Sequence, residues 1–184
     1  MIVKETRLKG CYIIEPTIFK DERGYFYESY NKLKLEAALG QKISFVQDNQ
    51  SRSKRGVLRG IHFQKGQFAQ AKLVRVLQGE VLDVVVDLRK DSKTFGQYES
   101  IVLSDANKKQ LFVPRGFGHG FITLSDTSEF AYKCDNYYNK ESESGIIYND
   151  PTLKVDWMIP SEEIIVSQKD LALYSFNRLI EKKI

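Results

Sequence analysis

His62 and His119 are the only histidines in the chain, and imidazole is the side chain best suited to take and return protons near neutral pH. One stands in Arg59-Gly60-Ile61-His62-Phe63-Gln64 and the other in Pro114-Arg115-Gly116-Phe117-Gly118-His119-Gly120. Both segments read as strands interrupted by glycine, which marks a bulge or a place where something approaches the backbone closely. A hydrogen-bonded core histidine is the alternative for either one alone; two in matching settings point to acid–base chemistry. The chain also offers groups suited to an anionic, oxygen-rich ligand: the cations Arg23, Arg59 and Lys72, the amides Gln47 and Asn49, and the acceptors Glu28 and Glu143.

Composition narrows the classes. Of the 184 residues 42% are hydrophobic and 28% charged, ordinary globular values that allow a sizeable core. The net charge of +4 is spread along the chain, and the densest basic stretch, Arg52-Ser53-Lys54-Arg55, is too short for a nucleic-acid footprint. Mild positivity suits a small anion instead. Cys11 and Cys134 show no CxxC spacing, so reduced thiols in a cytoplasm are expected. The first residues lack the apolar stretch of a signal peptide, and no run approaches the roughly 18 apolar residues of a membrane span. A soluble, cytoplasmic protein is the expectation.

The elements that must position the histidines are short strands. Ala71 to Leu77 and Val81 to Leu88 read as a hairpin turning at Gln78-Gly79-Glu80. In its second arm Leu82, Val84, Val86 and Leu88 share one face, with Asp83 and Asp87 on the other. Ser100–Leu103, Gln110–Val113, Gly120–Leu124 and Glu129–Lys133 supply further strands. A helix runs from an Asn31 cap to Leu39, ended by Gly40. A second begins after Ser167, with Ser167 and Asp170 resembling a capping box, and carries Leu171, Leu173 and Ile180. Many short strands with peripheral helices predict an all-β sandwich or jelly-roll barrel.

Pro114-x-Gly116-x-x-His119 matches half of the cupin jelly-roll signature. The other half would show two histidines one residue apart followed by a glutamate, and this chain has only His62 there. A catalytic metal needs about three protein ligands, so ligand supply disfavours one. The chain strongly resembles the dTDP-4-dehydrorhamnose 3,5-epimerase family, metal-free cupin-like enzymes, over roughly residues 10 to 170. The resemblance is carried by Phe19-Lys20-Asp21-Glu22-Arg23-Gly24-Tyr25-Phe26-Tyr27-Glu28, Gln47-Asp48-Asn49-Gln50-Ser51, Gly56 to Gln64, Gln70 to Val74, Thr94-Phe95-Gly96, Pro114 to Gly120, Tyr137-Tyr138 and Gly145 to Pro151.

The resemblance implies a cupin-type jelly roll with an N-terminal strand extension and short peripheral and C-terminal helices. It forms one epimerase domain over 1–184, with the barrel at about 11–150 and a helical segment at about 161–184. It implies no cofactor and a nucleotide-sugar substrate. His62 would be the general base, Tyr132 the general acid, Asp170 the orienter of His62, and Lys72 the group that offsets the enolate. Arg23, Glu28, Gln47, Asp48, Asn49, Arg59, His119, Glu143 and Lys169 would contact the nucleotide and sugar, and Tyr138 would stack on the base. A homodimer with strand exchange is implied, placing Arg23 and Glu28 in the neighbour's site; the β-rich stretch Cys11-Tyr12-Ile13-Ile14 also has to pair with some sheet edge. Rival readings are inversion at C3 alone or at C5 alone, a catalytically silent sugar-nucleotide binder, and a metal-dependent cupin oxygenase. Arg59 and His62, three apart, would point to opposite faces of a regular strand, and a bulge at Gly60 would reconcile them.

Overall fold

Short runs of branched and aromatic residues, broken by glycine, asparagine and aspartate, favour strands joined by tight turns. The computed structural model, which describes residues 1–182, is built that way. Its first half contains β1 (Ile2–Glu5), β2 (Tyr12–Glu15), β3 (Phe19–Asp21), β4 (Gly24–Phe26), α1 (Lys32–Leu39), β5 (Gln47–Lys54), β6 (Val57–Gln64) and β7 (Lys72–Gln78). The second half contains β8 (Glu80–Asp87), β9 (Tyr98–Ser104), β10 (Gln110–Val113), β11 (Phe117–Thr123), β12 (Thr127–Cys134), β13 (Glu143–Gly145), β14 (Ile165–Val166), α2 (Gln168–Leu171) and α3 (Phe176–Glu181). One sheet has the order β1-β2-β10-β7-β12-β5, and the other β13-β6-β11-β8-β9 with β14 parallel beside β6. The two sheets face each other as a cupin-type jelly roll. β3 and β4 form a separate hairpin.

Three apolar layers hold this arrangement. Val74, Val76 and Phe130 of the first sheet meet Val81, Val85, Phe117 and Phe121 of the second in the interior. On the outer face of the second sheet, Leu58, Ile61, Leu82 and Val84 pack against Ile146, Trp157, Phe176 and Leu179 of the C-terminal segment. Leu35 and Leu39 of α1 cover Ile14, Leu73 and Phe112 on the outer face of the first sheet. Each fully buried side chain of this size contributes about 1.5–3 kcal/mol. The four C-terminal anchors therefore attach their segment independently of any single polar contact it makes. Among the described residues no helix is long and apolar enough to cross a membrane.

α1 matches the sequence reading: the Asn31 side chain accepts from Lys34 N, and Gly40 takes φ +66° at the C-cap. Two expectations are corrected. The segments either side of Gly79 do not form a hairpin; β7 lies in the first sheet and β8 in the second, so the chain turns a corner between sheets. Asp83 and Asp87 lie on the face opposite Leu82, Val84 and Val86, as expected. β8 is covered on both sides, and both carboxylates are fully buried. The helix after Ser167 is broken into α2 and α3, each with its own serine cap, and Leu171 and Ile180 are exposed while Phe176 and Leu179 are buried. Positions 183 and 184 of that expected segment lie outside the described residues. The N-terminal strand pairs with a sheet edge as expected, β2 lying between β1 and β10.

Candidate active site

His62 on β6 and His119 on β11 are directly opposite each other in register. Two residues further along β11, Phe121 is opposite Arg59, so β6 spends three residues where β11 spends two. The extra residue is absorbed at Gly60, the expected bulge, which turns Arg59 and His62 to the same side. Gly60 has φ +132°, and a Cβ there would overlap the Gly120 Cα and lie 2.9 Å from the His119 carbonyl oxygen. Only glycine fits.

The facing sheet supplies the other wall. Tyr132 on β12 sits between Asn49 of β5 and Val74 of β7. Lys72 begins β7, with its Nζ 5.7 Å from the Tyr132 ring centroid. Between the walls is a cavity of about 620 Å³ lined by Asn49, Arg59, His62, Lys72, His119 and Tyr132 among others, and closed by the stacked rings of Phe121 and Phe130, 4.1 Å apart. The C-terminal segment borders the mouth. β14 runs parallel to β6, with Ile165 N donating to Gly56 O at 2.8 Å, and leads into α2. This brings Asp170 to His62, with Nε2 to Oδ1 at 2.8 Å. The second Asp170 oxygen accepts from Gly60 N at 3.3 Å. Ser167 caps α2 by accepting from Asp170 N, so the backbone of Asp170 completes the cap while its carboxylate serves the histidine.

Electrostatics follow from burial and partners. Burial alone would raise the Asp170 carboxyl, but hydrogen bonds from His62, Gly60 and Ser167 bring it below its ordinary value. An ionised Asp170 only accepts, so His62 Nε2 carries the proton and Nδ1 keeps a free lone pair. Burial raises the Tyr132 phenol, Cys134 and Glu143 add to this, and Arg59 opposes it; the hydroxyl stays protonated at neutral pH. Burial lowers the Lys72 ammonium, partly offset by Cys134, Asp83 and Glu143. The arrangement can remove a proton from one side of a bound molecule and deliver one from the other, with a cation beside the charge that develops.

A rim adjoins the cavity. Gln47 Nε2 donates to Asn49 Oδ1 at 2.9 Å, and Gln47 Oε1 accepts from Tyr138 N at 3.1 Å. Glu143 Oε2 accepts from the Tyr138 hydroxyl at 2.7 Å and from Lys169 Nζ at 2.6 Å. Burial raises the Glu143 carboxyl, and these two bonds more than reverse the shift. Arg59 Nε donates to Ser53 Oγ at 3.2 Å. Among the described residues no three His, Cys, Asp or Glu side chains converge as metal ligands would.

The sequence profile of dTDP-4-dehydrorhamnose 3,5-epimerases matches residues 5–178. This chain belongs to that family. The dTDP-4-dehydrorhamnose 3,5-epimerase of Escherichia coli is 49% identical over 184 residues, covering 100% of this chain and 99% of its own. The crystal structure of the Elizabethkingia anophelis enzyme is 56% identical with a TM-score of 0.94, covering 97% of each chain. That of the Legionella pneumophila dTDP-6-deoxy-D-glucose-3,5-epimerase, in complex with dTDP-4-keto-L-rhamnose, is 49% identical with a TM-score of 0.92, covering 96% of this chain and 93% of that one.

Three of the residues that the family resemblance assigned to substrate lie away from the cavity. Asp48 points outward, because β5 alternates and only Gln47, Asn49, Ser51 and Ser53 share the inner face; Lys133 Nζ pairs with it at 2.9 Å. Arg23 is exposed on the β3–β4 hairpin and paired with Asp21, and Glu28 is exposed and bonded to Lys34 and Asn31. The site also uses residues that sequence reasoning did not select. Ser51 lines the cavity and Ser53 accepts from Arg59; both follow from period two counted onward from Asn49. Asp83 stands behind His119, on the same face of β8 as the interior Val81 and Val85.

Proposed function

We propose that this protein is a cofactor-free isomerase, a single epimerase domain that inverts C3 and C5 of a dTDP-linked 4-keto-6-deoxyhexose, taking dTDP-4-dehydro-6-deoxyglucose to dTDP-4-dehydrorhamnose. One observation carries the reading: His62, backed by Asp170 from α2, stands on one sheet, and Tyr132 with Lys72 on the sheet facing it across a single cavity. The family membership and the dTDP-4-keto-L-rhamnose held by the Legionella relative support the substrate class.

Hydrogens on C3 and C5 are acidic only because each carbon is α to the C4 ketone. His62 Nδ1 takes the proton, and the C–H electron pair moves towards the ketone to give an enolate. Asp170 stabilises the imidazolium so formed, as a carboxylate does behind the histidine of a hydrolytic triad. Lys72 offsets the enolate oxygen's charge. Tyr132 protonates the carbon from the opposite face, so the configuration inverts; solvent then takes the proton from His62 and restores the phenol. Arg59, Asn49, Gln47, His119, Glu143 and Lys169 hold the nucleotide and sugar, and Tyr138 stacks on the base. Each proton transfer uses a group on the chain.

The β3–β4 hairpin supports a homodimer. Among the described residues it pairs with no other strand, and it exposes Phe19, Tyr25 and Phe26, a patch that a partner subunit would cover. Docked there, Arg23 and Glu28 would reach the partner's cavity. We place the enzyme in the cytoplasm, where the buried, unbridged Cys11 and Cys134 stay reduced. Incubation with the 4-keto-6-deoxy nucleotide sugar in heavy water tests the reading. Deuterium at both C3 and C5 is expected; entry at C3 alone would make it a 3-epimerase, and entry at neither would make it a binder.

A further inference from the structure

His62 is not the only imidazole backed by a carboxylate. His119, its cross-strand neighbour, lines the same cavity, and its Nε2 lies 2.9 and 3.1 Å from the two oxygens of Asp83. Asp83 is fully buried in the barrel interior and has no other side-chain hydrogen bond among the described residues. The ring is fixed by stacking on Phe130 at 6.1 Å between centroids and 24° between planes. His119 Nδ1 has no protein partner among the described residues. A carboxylate only accepts, so a ring held through Nε2 carries its proton there and keeps a lone pair at Nδ1.

We propose that Asp83 is a positioning residue for the sugar: it holds the His119 ring through Nε2, so that Nδ1 is left to accept a hydrogen bond from a hydroxyl of the hexose. Lys72 and Arg59, which line the same cavity, attract phosphate and enolate oxygens, whereas a lone pair suits a hydroxyl hydrogen such as those of the sugar ring. Fixing one hydroxyl sets which carbons of the ring stand over His62. The proposal rests on the epimerase reading above.

With only two imidazoles in the chain, histidine-selective ¹⁵N NMR tests it directly, and His62→Asn assigns the remaining ring. At neutral pH, free His119 should show a pyrrole-type Nε2 and a pyridine-type Nδ1. The Nδ1 signal should move on adding dTDP-glucose, which carries a hexose, and stay in place with dTDP alone. Asp83→Leu should mix the tautomers and lower kcat/KM about tenfold or more, roughly one lost hydrogen bond, while dTDP affinity stays within about twofold. Asp83→Asn, whose amide oxygen can still accept from Nε2, should recover part of the loss. A proton on Nδ1, an imidazolium at neutral pH, or an Nδ1 indifferent to dTDP-glucose would overturn the proposal, and these measurements on the native protein stand whether or not the Leu variant folds. Failure of the native protein to bind either nucleotide would instead overturn the epimerase reading.

Discussion

Tyr132→Phe separates the two halves of the proposed mechanism. The ring's packing survives the change: Phe130 lies 6.2 Å away between centroids, and Lys72 Nζ lies 5.7 Å from the ring. The hydroxyl donates to no protein group among the described residues, so its loss leaves no partner stranded, and the stability change should stay within about 0.5 kcal/mol. The chemical loss is much larger. A positioned general acid contributes about 10² to 10⁴ in rate, or about 2.7 to 5.5 kcal/mol of barrier. His62 and Asp170 are untouched on the opposite wall and still form the enolate, but the proton can return only to the face it left. The assay is NMR of the sugar after incubation in heavy water. The expected result is deuterium incorporated with configuration retained, inverted product reduced at least about a hundredfold, and an unchanged melting temperature. Inverted product at close to the parental rate would show that another group is the acid and that Tyr132 only packs the barrel.

His62→Asn should abolish both exchange and inversion while dTDP binding persists, as titration calorimetry would measure; near-parental exchange would place the base elsewhere. Light scattering at micromolar concentration should give about twice the 21.3 kDa chain mass, and a monomer would remove the hairpin's assigned role. Exhaustive chelation should leave activity intact, and a loss restored by one metal per chain would contradict the acid–base account. Asp87 tests acid stability: burial alone would raise its carboxyl, but Arg89, Ser92 and Thr94 hold it down from 3.8 to about 2. A carboxyl lowered in the fold stabilises above its unfolded value, and that stability is lost as pH falls towards the folded one. The shift corresponds to about 2 kcal/mol, so denaturant melts of Asp87→Asn should show a deficit near that size at pH 7 that shrinks between about pH 4 and 2; a constant deficit would refute it.

The strands and the first helix were legible because they obey local rules. Asn31 and Gly40 bracket α1 at the expected positions, and the three-residue spacing of Arg59 and His62 raised a bulge at Gly60 as the way to put both on one side, which the register of β6 against β11 then shows. What failed was information about which layer covers which face. The face of β8 that carries Asp83 and Asp87 also carries Val81 and Val85, and it turns into the barrel interior, where His119 and Arg89 satisfy the two carboxylates. Likewise Gln78-Gly79-Glu80 is a good hairpin turn by composition, and only the pairing of β7 with β10 and β12 reveals a corner between sheets. Asp170 came from family resemblance alone; nothing local connects a residue in the first turn of a short helix to a histidine 108 positions earlier.

That separation gives the chain a built-in order of assembly. Strands of the barrel meet through turns and crossovers within Ile2–Gly145, whereas the carboxylate behind His62 arrives on a segment that docks Trp157 and lies along β6. Gly56 is the seat for that docking: it takes φ +79°, and a Cβ there would collide with the Glu163 carbonyl oxygen. Closing a loop of this length costs entropy that only the finished apolar layer offsets, so the His62–Asp170 contact belongs to the late, high-contact-order part of folding. A barrel that has closed without this segment has a cavity but an unsupported imidazole. In the proposed mechanism, proton abstraction then depends on the docking of this segment as well as on the closed barrel.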